Sequence, residues 1–314
     1  MASIGTRTDN ESRNNIRTID FSQVAKNPQD PSPFGNTIIV PFSIAQQFSR
    51  SEAALVDLYL YYSWYNISAQ FGNNIFQYEF PTASGYVTFT VTIPDGFYSI
   101  DELSDFFQQV QITNGTYLFL TADPSETPIT YLSWGSNSVY YRTTLFSNPV
   151  PDAGNATYSA PSNYPGGGRS ATVQDASLII LPTVAPAGSD TPGQYSFSKT
   201  LGFSPGTYPP TGTTTTYSVN GQFAPFIEST NTVNVAVSFV NNGGITTNPT
   251  ILQTFSPTVG FGDQIVVQQR FPVYLPIADG TYQFITIQLQ DENYLPLNIQ
   301  DPHINGRIMC RGRG

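Results

Sequence analysis

The sequence predicts an all-β protein: an antiparallel jelly-roll β-sandwich with one short helix at about residues 99–112 and long loops or an insertion. Three observations lead there. Phe and Tyr number 22 and 19 while only 11% of the 314 residues are charged, a composition suited to pleated, half-buried surfaces. Strand-length segments follow one another without an intervening helix through the early part of the chain, which favours antiparallel pairing. Strong strand segments also stand at both ends, with long turn-rich stretches between them, as in a fold that pairs strands distant in sequence.

Residues 1–33 lack hydrophobic periodicity and close on the breaker cluster NPQDPSP, so they are expected to form an extended N-terminal arm. NTIIVPFSI (36–44) and ALVDLYLYYSWYNIS (54–68) read as strands. In the second, Leu58, Leu60, Tyr62 and Trp64 alternate with Asp57, Tyr59, Tyr61 and Ser63, the period of two that buries one face. NIFQYEF (74–80) and YVTFTVTIP (86–94) form a hairpin around PTASG. The helix follows. Ser99 and Glu102 make a capping box, Ile100, Leu103, Phe106, Phe107 and Val110 form an apolar face, and Asn114-Gly115 supplies the exit. This helix is expected to close one side or end of the jelly roll.

GTYLFLT (115–121), PITYLSW (128–134) and SVYYRTTLF (138–146) are further strand candidates. Residues 147–216 are rich in Pro, Gly, Ser and Asn and read as an insertion, holding one short strand in DASLIILPT (175–183) and a helical turn around Lys199. GGGR (166–169) lacks the lysine and following helix of a phosphate loop. Three long strand segments, 230–242, 263–277 and 281–299, close the fold. The expected layout is a jelly-roll domain from 34–146 and 217–306, the insertion 147–216 within it, and a basic C-terminal tail at 307–314.

Charge and composition narrow the function. The net charge is −10, yet Arg7, Arg13, Arg17 and Lys26 near the start and Arg307, Arg311 and Arg313 at the end are seven of only twelve basic residues. An acidic body would repel a phosphate backbone over most of its surface, so any contact to nucleic acid falls to the two tails. The single cysteine, Cys310, and single histidine, His303, exclude an intrachain disulfide and the ligand sets of structural zinc sites. Catalysis through His303 and Cys310 would place both groups in a Gly- and Arg-rich tail, which cannot hold them rigidly. The polar N-terminus has no apolar signal core and no run reaches membrane-span length, so an intracellular origin with unused sequons at Asn66, Asn114 and Asn155 is expected.

Several side chains are candidates for chemistry. Asp101, Glu102 and Asp105 are accounted for by capping and the helix dipole, and adjacent helical acids point about 100° apart, too far to flank one glycosidic bond. Trp134, Tyr140, Tyr141 and Tyr164 are the first candidates for stacking on a glycan, as in a host-attachment module, although core or interface packing is the expected fate of each. The loop QDEN (290–293) offers oxygen ligands for calcium without the spacing of a known loop. No cofactor, metal or catalytic residue is expected.

YYSWYNIS followed by FGNNIFQYEF, then VTIPDGFYSIDELSDFFQ with NGTYL, and later LGFSPGTYP and IQLQDENYLPLNIQDP, resemble the jelly-roll penton and minor capsid proteins of virophages, polinton-like viruses and related large double-stranded DNA viruses. The resemblance covers most of residues 50–305. It implies a non-enzymatic structural protein of the virion, assembled inside the host cell. Its core would be a single jelly roll forming homopentamers at icosahedral vertices beside the major capsid protein; the alternative is a minor or cement protein between major capsid trimers. Arg7, Arg13, Arg17, Arg307, Arg311 and Arg313 would then contact neighbouring chains, inner capsid proteins or the genome.

Overall fold

In the computed structural model the described residues are 16–23, 37–69, 71–82, 85–122, 125, 127–151, 157–165, 175–181, 196–227, 230–241 and 250–313. In chain order they form β1 (Arg17–Gln23), β2 (Thr37–Phe48), β3 (Ser51–Tyr61), β4 (Ile75–Thr82), β5 (Gly85–Thr92), helix α1 (Ile100–Thr113), β6 (Tyr117–Leu120), β7 (Ile129–Thr130), β8 (Leu132–Asn137) and β9 (Arg142–Ser147). There follow β10 (Tyr158–Ser159), β11 (Leu178–Leu181), helix α2 (Phe197–Leu201), β12 (Gly206–Tyr208) and β13 (Tyr217–Asn220). The last six are β14 (Val233–Val237), β15 (Ile251–Phe255), β16 (Gln264–Gln268), β17 (Leu275–Pro276), β18 (Gly280–Gln290) and β19 (Ile304–Gly312).

The chain divides into two compact units. Residues 1–65 and 230–314 make the first, and residues 66–229 make the second, which therefore enters the chain between β3 and β14. This differs from the expected layout, in which 34–146 belonged with the C-terminal strands and only 147–216 was inserted. The reason lies in pairing: β11, from the expected insertion, adds to β4, and β13 adds to β9, so residues 66–146 share their sheets with residues 147–229.

The first unit is a jelly roll by its own hydrogen-bond ladder. One sheet has the order β1-β19-β3-β16, with β17 also on β3, and the other β15-β14-β18-β2. Setting β17 aside, eight strands pair antiparallel as first with last (β1·β19), second with seventh (β2·β18), third with sixth (β3·β16) and fourth with fifth (β14·β15). That nesting is a long hairpin wound over itself into two sheets. Alternation in the strands sets which side is buried: Leu58 and Leu60 of β3 are inside and Tyr59 and Tyr61 partly exposed, as the period of two requires. The core is chiefly aliphatic, with Ile38, Val40, Leu55, Val235, Ile265, Ile287 and Ile308 buried.

Two expectations are corrected here. The basic tail at 307–314 is instead most of β19, which lies between β1 and β3 and pairs with both. Ile304, Gly306, Ile308 and Cys310 face inward and are buried, so hydrophobic burial fixes the segment as a central strand. The N-terminal arm likewise contains β1, a strand of the same sheet; of the rest of 1–33, only Ile16 is among the described residues.

The second unit surrounds an aromatic core. Its main sheet runs β12-β11-β4-β5, with smaller sheets β13-β9-β8 and β10-β6-β7. Helix α1 packs on β8 and β7 within this unit. Its start is as the sequence predicts: the Glu102 backbone N–H donates to Ser99 Oγ at 3.2 Å, and the Ser99 N–H donates to the Glu102 carboxylate at 2.8 Å. Gly115, at φ 73°, provides the left-handed turn after the helix. Phe107 stacks on Trp134 with ring centroids 4.9 Å apart, and Phe76 stacks on Phe197 at 4.7 Å. α2 forms at the helical turn expected around Lys199.

Candidate interaction surface

The arginines singled out in the sequence separate onto two faces of one sheet. β1 and β19 put odd-numbered residues of β19 outward and even-numbered ones inward. Arg307 therefore projects outward and forms an ion pair with Asp57 on β3, its direct partner in the ladder, while Asp20 of β1 lies opposite Arg307 on the other side. Arg311 donates through Nε to Glu52 at 2.5 Å and lies over the Tyr274 ring at 3.6 Å; Arg313 approaches the same carboxylate at 3.7 Å. Arg17 belongs elsewhere: its guanidinium donates to Gln46 at 3.0 Å and sits 5.8 Å from the Phe48 ring on β2. Arg7 and Arg13 lie outside the described residues.

This geometry changes what the arginines can do. A cation flanked by Asp57 and Asp20 is already neutralised, and those acids would repel an incoming phosphate. Such half-exposed pairs contribute about 0–1 kcal/mol each, so they add little to stability. Beside the Arg307–Asp57 pair lies an open depression of about 420 Å³ lined by Asp20, Ser22, Asp57, Tyr59, Asn305 and Arg307. On the inner face of the same strands the buried Phe21 ring occupies the space that a side chain at Gly306 would fill.

The remaining candidates resolve individually. Trp134 is 3% exposed and its indole N–H donates to the Ile100 carbonyl at 3.2 Å, so it is a core residue and not a glycan platform. Tyr164 packs its ring on Phe80 and is half-buried. Tyr140 and Tyr141, by contrast, are 66% and 72% exposed beside Val139 in the turn joining β8 to β9, with Tyr141 at φ 50°. Asp101 accepts from the N–H and hydroxyl of Ser136, both at 3.0 Å, which ties the first turn of α1 to β8. Glu102 is held below the ordinary carboxylate range by the backbone N–H and hydroxyl of Ser99.

Cys310 is buried on the inner face of β19 and burial pushes its thiol up to about 12, against a weaker opposing pull from Arg17. His303 lies just before β19 and places Nδ1 2.7 Å from the Asp301 carboxylate. In the QDEN loop, Asp291 Oδ1 accepts from the Asn293 and Leu295 backbone N–H groups, each at 2.8 Å. Its carboxyl is raised by burial, partly offset by those N–H groups. It thus spends its oxygen on a turn. Among the described residues no group of three or more His, Cys, Asp or Glu is placed to hold a metal, and no helix is long and apolar enough to cross a membrane.

What sequence reading missed is the apolar surface of the jelly roll. Ile39 and Phe284 stand exposed on neighbouring strands β2 and β18, and Ile44 is exposed further along β2. On the other sheet Val266 is exposed, as are Phe271 and Val273 in the link to β17. The signal was present as alternation in RFPVY, where Phe271 and Val273 share one side, but alternation alone does not say which side is covered.

No protein-family model matches the chain, and no curated protein sequence does. Two solved structures align over nearly its whole length. The crystal structure of the mavirus penton protein aligns with 7% identity and a TM-score of 0.40, covering 94% of this chain and 98% of that one. The cryo-EM structure of the Sputnik virophage aligns with 11% identity and a TM-score of 0.37, covering 96% of this chain and 98% of that one.

Proposed function

We propose that this chain is a structural capsid protein of a virion, the penton that forms homopentamers at icosahedral vertices beside the major capsid protein. The observation that carries this reading is the nested pairing of first with last through fourth with fifth strand, a winding used by viral capsid proteins. The step from fold to role is an analogy, strengthened by the sequence motifs that resemble penton and minor capsid proteins. The exposed Ile39, Phe284, Phe271 and Val273 fit it, because apolar residues on a sheet surface become interface once symmetric neighbours cover them. The test is native mass measurement of the full chain with and without the major capsid protein, followed by particle reconstruction. Five copies at the fivefold axis are expected. A single copy between major capsid trimers would replace the penton reading with that of a minor or cement protein.

A second reading rests on the turn between β8 and β9. Tyr140 and Tyr141 present exposed rings of the kind that stack on sugars, which suits host attachment. Glycan-array binding that disappears in Tyr140→Ala and Tyr141→Ala would support it; no binding by the wild-type chain would remove it.

A further inference from the structure

We infer that the free edge of β5 is a self-pairing surface, joining two copies of this chain across a twofold axis. β5 ends its sheet: in the order β12-β11-β4-β5 no described strand lies beyond it. Its ladder with β4 sets which groups face outward. The Ile93 N–H donates to the Asn74 carbonyl at 2.8 Å, continuing the Ile75↔Thr92 register, so hydrogen-bonded pairs fall on residues 87, 89 and 91 of β5. Thr88, Thr90 and Thr92 therefore turn their N–H and C=O groups away from β4, and all three are exposed.

The other edges among the described strands are short, blunted or covered: β8 gives its Trp134 and Ser136 N–H groups to Ser104 and Asp101 of α1, and β7 and β10 are two residues each. β2 carries Pro41 and a register shift against β18, β1 carries Arg17 and Asp20, and β12 spans three residues before Pro209. β13, β15 and β16 are four or five residues long. β5 is eight residues, GYVTFTVT, with no charge and no proline. Such an edge is a template for another strand.

The sequence of β5 favours its own copy as the occupant. A twofold antiparallel pair sets the residue on the axis opposite itself and brings the residues beside it diagonally close to their own copies, so charges near the axis would repel; β5 has none. Centred on Phe89, the pair sets Phe89 opposite Phe89, Thr88 opposite Thr90 and Val87 opposite Val91. Thr88 and Thr90 then exchange the outward backbone bonds, and Thr–Thr, Val–Val and aromatic cross-strand pairs are favourable. Phe89 is already oriented by stacking on Tyr78 at 5.0 Å. The sheet continues as β12-β11-β4-β5 and then its mirror sequence in the second copy. A twofold contact cannot build a fivefold ring, so in a pentameric protein it joins separate rings; it stands independently of the penton reading.

The test is the mass of the full-length chain by light scattering and native mass spectrometry. Thr90→Pro removes one outward N–H per chain and leaves the β4 ladder intact, because that N–H does not face β4. The assembled mass should fall by half and association weaken roughly ten- to a hundredfold, with thermal unfolding the same as that of the wild-type chain diluted until it is unpaired. Thr88→Lys should also weaken pairing at low salt through like-charge repulsion and recover in high salt, which Thr90→Pro should not. A wild-type chain that never doubles its assembling unit, or pairing that survives both substitutions, overturns the proposal, as would capture of a strand from a different protein without self-pairing.

Discussion

The two units bury comparable cores by opposite routes. In the jelly roll the first strand pairs with the last, residues 17–23 against 304–310, so closure depends on both ends of the chain. In the second unit two local hairpins, β4 with β5 and β8 with β9, and a helix that carries its own capping box form the base, to which β11 and β13 add from further along the chain. The jelly roll is filled mainly by Ile, Leu and Val, and the second unit by stacked rings of Phe76, Phe107, Trp134 and Phe197. The difference teaches that the first unit has no closure without its two terminal strands, whereas the second is built on local hairpins and a self-capped helix, completed by β11, β13 and aromatic packing. The two should therefore respond differently to the same kind of damage.

The largest effect expected is from removing residues 304–314. This deletes the central strand of the β1-β19-β3-β16 sheet and should abolish cooperative folding of the jelly roll, read by near-ultraviolet circular dichroism and limited proteolysis. The second unit should keep its protease resistance, since the described ring partners of Trp134, namely Phe76, Phe107 and Phe197, lie within residues 66–229. Next is Trp134→Ala, which should destabilise the second unit by about 3–5 kcal/mol in denaturant unfolding and leave the jelly roll transition in place.

Gly306→Ala should cost the jelly roll about 1–3 kcal/mol, because the added Cβ would meet Phe21 Cζ at 2.4 Å and the Asp57 carbonyl oxygen at 2.9 Å. Phe21→Leu in the same chain should recover part of that loss. The smallest effect is at the helix cap. Ser99→Ala should cost the second unit about 1 kcal/mol. Glu102 has its folded pKa depressed, so its stabilisation is present above the unfolded carboxylate range and is lost as pH falls through the folded value. Glu102→Gln should flatten that acid limb.

Local signals were the legible ones. The capping box, the alternation around Leu58 and Leu60 and the turn around Lys199 each lie within a few residues, and the structure forms all three. The antiparallel all-β class also followed from composition and strand spacing. The C-terminal strand did not. INGRIMCRG alternates Ile304, Gly306, Ile308 and Cys310 against Asn305, Arg307, Met309 and Arg311, but Gly and Arg read as a solvated tail. Only its partners explain it: Phe21 fills the space over Gly306, and Asp57 and Glu52 wait on β3 for Arg307 and Arg311. The unit boundary at residues 65–66 was equally hidden, because it falls inside the strand-like run YYSWYNIS. Core packing was the expected fate of Trp134, but its partner was hidden: that α1 supplies the Ile100 carbonyl to its indole N–H emerges only once the helix is laid against β8.

The central claim is that residues 304–312 form the interior strand that closes the jelly roll. Hydrogen–deuterium exchange of the native full-length chain tests it most directly. A strand bonded on both sides should protect its amides on consecutive residues, with a weaker point at the Arg307/Ile308 register shift and protection elsewhere comparable to that of β3. Exchange of 304–312 at the rate of an unstructured tail, while β3 remains protected, would contradict it.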